Sequence, residues 1–365
     1  MKADSLLRIW DVPVRVFHWL LVASVLAAGV TGFLLLPRGF AIHLFAGTAI
    51  AALLLFRLVW GFTGSTYSRF RSFVFAPPAI VAYLRDHLAG KARNYVGHNP
   101  LGSLMVFALV ACLAAVVVTG IATAGGLDKE GPLRAFVSYG LGRTLRELHQ
   151  FAAYGLLLLI AGHIGGVIFE SRRERFNLAR AMVTGLKPSE TPVSIDPPRK
   201  AAALIASALV AAAVVIPTLL LWQKPAAGTP PSTLDPQYLK ICGDCHIPFN
   251  PSLRTADSWA KLMASLDSHF GEDASLKADE LQAISAYLAA NSAEHWDTRA
   301  AVDFSRIDEK DPLRITAGPS WQRRHGDLPA ELFKRAKVKA KSNCEACHAD
   351  ARQGLFTPQG IDIPE

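Results

Sequence analysis

Two short strings in the last third of the chain could do the most specific chemistry. Cys242-Gly-Asp-Cys245-His246 and Cys344-Glu-Ala-Cys347-His348 share the spacing C-x-x-C-H. Two thiols at that distance add across the vinyl groups of a porphyrin, and the adjacent histidine reaches the iron, so the spacing is that of covalent c-type haem attachment. A single such string would serve a zinc or dithiol site as well. Two of them, in a segment expected outside the cytoplasm, point to two covalently attached c haems, with His246 and His348 as proximal ligands. His269, His295 and His325 remain for the distal positions, and Met263 is the only methionine in this part. A methionine ligand would raise the potential relative to two histidines. Two irons and three spare histidines make bis-histidine ligation the simpler reading. We assign His269 to the first c haem and His325 to the second, the crossed assignment being the alternative. His295, in AEHWD, reads as a surface residue. The fifth cysteine, Cys112, lies alone in an apolar run and reads as a small packing residue.

A second group of ligands sits in a different environment. The run from Leu145 to Glu170 is apolar, is long enough to cross a bilayer, and carries His149 and His163 fourteen residues apart. Four helical turns take about 14.4 residues, so both rings leave one face, about 21 Å apart along the axis. Ionisable residues at membrane depth are costly and point to function. Core histidines hydrogen-bonded to neighbouring helices would give the same pattern on this helix alone. Two further histidines, His18 and His43, begin the first two apolar runs. Four membrane histidines suffice for two b-type haems with two imidazoles each.

The elements that must position these ligands follow from composition. The chain has 365 residues, 51% of them hydrophobic, and a net charge of +8. Charge and proline gather in the last third, which predicts a membrane part followed by a water-soluble part. Nucleic acid is not the partner this charge implies, because the basic residues sit in short loops beside apolar helices. Five spans are expected, near Val16 to Leu36, Phe40 to Phe62, Leu101 to Ala124, Leu145 to Glu170 and Ala201 to Trp222. Pro37-Arg38-Gly39 forms the first loop, and Pro217 kinks the fifth span or marks its last turns. The first run is too long for a signal-peptide core and is expected to stay as a span. Pro77-Pro78 followed by AIVAYLRDHLAG predicts a short amphipathic helix in the interface, with His87 and His98 as interfacial loop residues.

Basic residues set the orientation. Loop 63–99 holds five and segment 171–200 holds seven, against Arg38 in one opposite loop and Lys129, Arg134 and Arg143 in the other. The N-terminus and the richer segments are therefore placed in the cytoplasm. Five spans then put the C-terminal part in the periplasm, where c-type haem is attached. Depth pairs the membrane histidines: His18 with His163 on the cytoplasmic side, His43 with His149 on the periplasmic side. Gly29, Gly32, Gly47, Gly155, Gly162, Gly165 and Gly166 would let a porphyrin approach the backbone or let helices pack.

Four parts are expected: residues 1–188 as a four-helix membrane domain, 189–222 as a cytoplasmic connection and fifth span, 223–233 as an extended proline-rich linker, and 234–365 as the periplasmic dihaem domain. In the last part, helices are expected near 236–243, 255–270, 276–291 and 329–341. The fold class is an all-α membrane protein with a small, mostly α and loop haem domain. The basic run Lys334, Arg335, Lys337, Lys339 and Lys341 reads as a solvated helix face, or as a docking patch for an acidic partner or an anionic lipid surface.

RIWDVPVRVFHWLL, FRLVWGFTGSTYSRF, GHNPLGSLMV and LHQFAAYGLLLLIAGHIGGV resemble the bacterial cytochrome b561 family, including the b-type subunits of nickel–iron hydrogenases, over about residues 5 to 188. The resemblance implies a four-helix core with two b haems held from helices one, two and four, onto which His18, His43, His149 and His163 fall. CGDCHIPFNPSL, SHFGEDASL, PLRIT and CEACHADARQGLF resemble the dihaem cytochrome c family that donates electrons to an oxygen-binding c-type haem protein of purple bacteria. That match favours His269 and, through RRHGD, His325 as distal ligands. The hydrogenase subunits normally end after the fourth helix, so the fusion departs from them.

The combined expectation is a tetrahaem electron-transfer protein of a bacterial inner membrane. Membrane quinol is the expected donor, by family resemblance, and a periplasmic c-type haem protein the expected acceptor. This would be quinol–cytochrome oxidoreductase activity, with Glu147, Glu170 or Arg146 as candidates for proton release. One alternative is a cytochrome subunit of a larger dehydrogenase or hydrogenase complex without quinone chemistry of its own. Another is a terminal enzyme with one open iron, which the number of spare histidines argues against.

Overall fold

The computed structural model describes residues 5–36, 38–91, 93–189, 194–308 and 310–365, so Pro37 of the first loop lies outside the described residues. Strand β1 (Ser5–Arg8) precedes helix α1 (Val12–Leu34). Asp11 caps α1 by accepting from the Val14 amide, with Pro13 in the first turn, the arrangement that satisfies orphan amides at a helix start. Then follow α2 (Phe40–Thr63), α3 (Pro77–Leu88), α4 (Pro100–Thr123) and α5 (Tyr139–Arg173). The short α6 (Leu178–Thr184), strand β2 (Leu186–Ser189) and α7 (Lys200–Trp222) complete the membrane part. Among the described residues, α1, α2, α4, α5 and α7 are long and apolar enough to cross a membrane. The protein is a membrane protein, mostly helical, as its sequence implies.

The chain divides into two compact units. The first comprises residues 1–120 and 145–220. Its centre is a cluster of Ile50, Leu113 and Leu156, against which Leu21, Val25 and Ala28 of α1 pack. The outer faces carry large exposed side chains such as Phe45 and Leu158, both 77% exposed. Lipid covers such a surface without cost, whereas water would not. At one end, β1 pairs antiparallel with β2 in the register Leu6–Pro188 and Arg8–Leu186. This ribbon is the one strand pairing of length among the described residues, and the period-3.6 reading of the sequence does not foresee it. Asp11 ties the same end together, accepting from Trp60 Nε1, Ser65 Oγ and Ser68 Oγ at 2.7 to 3.2 Å.

The second unit comprises residues 121–144 and 221–365. Its helices are α8 (Pro236–Cys242), α9 (Ala256–Met263), α10 (Ala278–Ala290), α11 (Arg299–Phe304) and α12 (Pro319–His325). Leu234, Tyr238, Trp259, Leu262, Met263, Ile284 and Leu288 form its apolar core, so Met263 is a packing residue. The helix expected at 329–341 is not formed. A 3-10 turn covers Ala330–Lys334, and Lys339 adopts φ 68°. Like charges three and four residues apart oppose a helix there. Lys341 instead lies 5.5 Å from the Trp321 ring centre, and Arg335 donates to the Pro364 carbonyl.

Within this unit the loop between α4 and α5 is clamped to the C-terminal domain. Lys129, 5% exposed, reaches Asp297 Oδ2 at 2.8 Å, and the same oxygen accepts from the Tyr139 amide at 2.8 Å. Asp128, 7% exposed, meets Arg299 at 2.8 Å. The linker is pinned on both sides: Arg134 donates to the Trp222 and Lys224 carbonyls, and the Asp297 amide donates to Gly228. The stretch expected as an extended linker thus forms a bonded strap near residues 224–228.

Candidate haem sites

His43 stands in the first turn of α2 and His149 on α5, and their ring centres are 6.1 Å apart. In the second unit His246 and His269 are 6.1 Å apart and nearly parallel, and His325 and His348 are also 6.1 Å apart. An imidazole–metal bond is about 2 Å, and a ring centre lies about 1 Å behind its nitrogen, so two imidazoles sharing one metal ion stand about 6 Å apart. Each pair therefore leaves room for one iron. The fourth pair, His18 and His163, lies within electrostatic reach of one another. The structure thus brings three of the sequence-grouped histidine pairs face to face, sets His18 and His163 within electrostatic reach, and leaves His295 exposed.

Neighbouring carbonyls orient the rings. His43 Nδ1 donates to the Ala28 carbonyl of α1 at 2.9 Å, and His149 Nδ1 to the Val116 carbonyl of α4 at 2.9 Å. His246 Nδ1 donates to the Ile247 carbonyl at 3.0 Å, and His325 Nδ1 to the Trp321 carbonyl at 3.2 Å. A proton fixed on Nδ1 leaves the Nε2 lone pair for a metal. Trp321 also stacks on His325, with ring centres 4.9 Å apart. Burial holds His269, His325 and His348 below the usual imidazole range, which favours the neutral, ligating form. Burial likewise pushes the Cys242 and Cys344 thiols up to about 11, so neither forms a free thiolate at neutral pH.

The glycines divide by role. A Cβ on Gly32 would lie 2.9 Å from His43 Cε1, and one on Gly120 would lie 3.1 Å from His149 Cε1. These two let the rings approach the adjacent helix. Gly120 carries no signal in the sequence beyond lying in an apolar helix. Gly29, Gly47, Gly155, Gly165 and Gly166 border open space within 4 Å, room that a flat macrocycle needs. Gly162 packs toward Met105 instead. Substituting Gly32 by alanine is expected to tilt His43 and to deplete any haem that His43 holds, by roughly half or more. Optical spectra of the b-type bands in purified protein will read this.

His87 and His98 differ from expectation. His87 lies on α3, its Nδ1 3.7 Å from Glu170 Oε1. His98 is packed between Trp10 and Phe73, with ring centres 4.8 and 4.7 Å away. Neither is a loose interfacial residue, because α3 and the turn before α4 fold back onto the bundle end. Of the proton-release candidates, Glu147 and Arg146 are exposed. Glu170 accepts from Arg173 at 2.8 Å and from the Tyr83 hydroxyl at 3.4 Å. Burial and Glu170 push Tyr83 up to about 12. Cys112 donates to the Ala152 carbonyl at 3.4 Å, a contact between α4 and α5.

A helical membrane bundle with paired imidazoles, joined to two C-x-x-C-H strings each facing a second histidine, defines a haem-binding membrane cytochrome. Residues 9–185 match the family model Prokaryotic cytochrome b561, and residues 238–356 match Dihaem cytochrome c. The chain thus joins a prokaryotic cytochrome b561 part to a C-terminal dihaem cytochrome c part. The probable Ni/Fe-hydrogenase B-type cytochrome subunit of Rhizobium leguminosarum bv. viciae is 25% identical over 213 residues, 48% of this chain and 87% of that protein. The probable Ni/Fe-hydrogenase 1 B-type cytochrome subunit of Escherichia coli (strain K12) is 27% identical over 208 residues, 47% of this chain and 86% of that protein. A solved diheme cytochrome c from Rhodobacter sphaeroides is 38% identical, covers 34% of this chain and 98% of its own, and superposes with a TM-score of 0.29. The protein is an electron-transfer cytochrome that uses b-type and c-type haems.

Proposed function

We propose that this protein carries electrons from membrane quinol, by way of two b haems and two c haems, to a periplasmic haem-protein acceptor. The observation that carries the reading is the pairing of histidines: three pairs at 6.1 Å and a fourth within reach, eight ligands for four irons. Haem iron, when bound, supplies the one-electron chemistry; the chain supplies ligands, orientation and a surrounding of low polarity. His18 and His163 would hold the cytoplasmic b haem, and His43 and His149 the periplasmic one. His246 with His269, and His348 with His325, would hold the c haems, whose vinyl groups Cys242, Cys245, Cys344 and Cys347 would bind. Orientation rests on the basic loops, with the N-terminus in the cytoplasm. The clamp between the α4–α5 loop and the C-terminal domain supports the five-span count, since both must then share one side of the membrane.

A pyridine haemochrome spectrum of the full-length protein tests the stoichiometry. Two b and two c haems per chain are expected. Two c haems without b haem, in folded and lipid-retaining protein, would sink the transmembrane path. Reduction of a soluble c-type cytochrome by quinol in the presence of the isolated protein tests the donor and acceptor. The second reading is a subunit of a larger hydrogenase-type complex, favoured by the names of the curated relatives. It predicts no such activity in isolation.

A further inference from the structure

The bundle repeats itself every seven residues. On α5, His149, Leu156 and His163 follow one another down one face, and on α2 the same steps give His43, Ile50 and Arg57. Seven residues are about two turns, and α2 and α5 run in the same direction through the bundle. Ile50 and Leu156 meet in the central cluster, between the levels of the two b-haem pairs. Arg57 therefore stands on α2 at the depth at which His163 stands on α5.

Arg57 is 5% exposed, yet it has no ion pair among the described residues. One of its five N–H groups is spoken for, donating to the Ser68 carbonyl at 3.1 Å. Its guanidinium lies 4.6 Å from the Phe70 ring centre and 5.7 Å from that of Phe73. Asp11, the carboxylate whose charge it feels, is already engaged by Trp60, Ser65, Ser68 and the Val14 amide. An isolated buried cation is costly and calls for an anion. His98 shares the Phe73 ring with Arg57 and lies within electrostatic reach of both Arg57 and His163. Its Nδ1 is shut off from solvent and has no hydrogen-bond partner. Lys187, the other cation acting on His98, is already paired with Glu174 at 3.1 Å. A charge and a hydrogen-bonding nitrogen, both short of partners, thus converge beside His163.

We propose that Arg57 and His98 form a carboxylate site that receives the propionates of the cytoplasmic b-type haem. The inference rests on reading His18 and His163 as that haem's ligands. Haem is the carboxylate-bearing group that those ligands would bring to this depth. Guanidinium is suited to the task because it grips a carboxylate through two parallel N–H groups. Burial, and next the Arg57 charge, push His98 down to about 3, so the ring is neutral and has one N–H to offer.

The test is a redox titration of the b-type bands in full-length Arg57→Gln and Arg57→Lys proteins, with haem counted in each. A cation beside the propionates favours the ferrous state. In Arg57→Gln, at the potential where one b haem is half reduced in the wild type, its reduced-to-oxidised ratio is expected to fall about tenfold, which is 59 mV for a one-electron couple. The other b haem and both c haems are expected to keep their potentials. Arg57→Lys, which keeps the charge, is expected to recover most of the shift. His98→Phe is expected to move the same haem in the same direction by a smaller factor. Both b haems present with unchanged potentials in Arg57→Gln would overturn the proposal, as would a shift confined to the haem that depends on His149. If Arg57→Gln loses a haem altogether, Arg57→Lys decides. Retention there supports the cation's role, and loss there too would overturn it in favour of helix packing. A wild-type protein with fewer than two b haems would instead fail the underlying ligand reading, a result visible before any variant is made.

Discussion

Replacing His149 by alanine is expected to remove one b haem and leave the other three haems in place. The His149 ring faces His43 at 6.1 Å, and its Nδ1 is anchored on the Val116 carbonyl. With it gone, one imidazole remains for that iron. The c haems would be held through thioethers in the other unit, so their count is not expected to depend on this ring. The b-type haem recovered by pyridine haemochrome should fall by half, with the c-type content unchanged. His163→Ala is expected to remove the other b haem by the same logic, and His295→Ala to remove none, because the other four histidines of that unit already face one another in pairs. Loss of all four haems in His149→Ala would show that the sites assemble as one cooperative unit.

The second large effect belongs to the clamp. Reversing Lys129 to glutamate would set two carboxylates against each other where the lysine side chain is 2% exposed. Breaking a buried pair costs about 3–5 kcal/mol. Asp297, whose side chain is 38% exposed, keeps some water, so the lower end, about 3 kcal/mol, is expected. Segment 124–139 and the strap near Gly228 should then exchange their amide hydrogens on the order of a hundredfold faster. Asp297→Lys added to Lys129→Glu should recover only part of the protection, because the Tyr139 amide also needs the Asp297 oxygen. Unchanged exchange in the single variant would mean that the ion pair does not hold the loop.

Much of this architecture could be read from the residues alone. The fourteen-residue step from His149 to His163 follows from helix geometry and needs no partner to be seen. The C-x-x-C-H strings are local, and so is the apolar length of each span. Illegible were the features made by contacts far apart in sequence. Lys129 and Asp297 are 168 residues apart, and nothing in either neighbourhood names the other. The β1–β2 ribbon joins residues 5–8 to 186–189, with Pro188 in a strand where local preference argues against one. His98 looked like a loop residue because its neighbours are Gly97 and Asn99, and its packing comes from Trp10 and Phe73. The run of lysines before Cys344 misled in the opposite sense. Its charges suggested a helix face, but their mutual repulsion and the contacts of Arg335 and Lys341 favour an irregular path.

The ribbon also sets a timetable. Translation delivers β1 before α1 and its partner β2 only after α5 has been made. Until then the N-terminal segment has no edge to pair with, and neither His18 nor His43 has a partner histidine. The membrane bundle is therefore a late-closing structure, open to haem while four spans already lie in the bilayer. The C-terminal domain is synthesised later still, and its landing place, the loop with Asp128 and Lys129, is waiting by then. A chain truncated just beyond residue 189 should already bind b-type haem, and one truncated before His149 should not, because His18 and His43 then lack their partners.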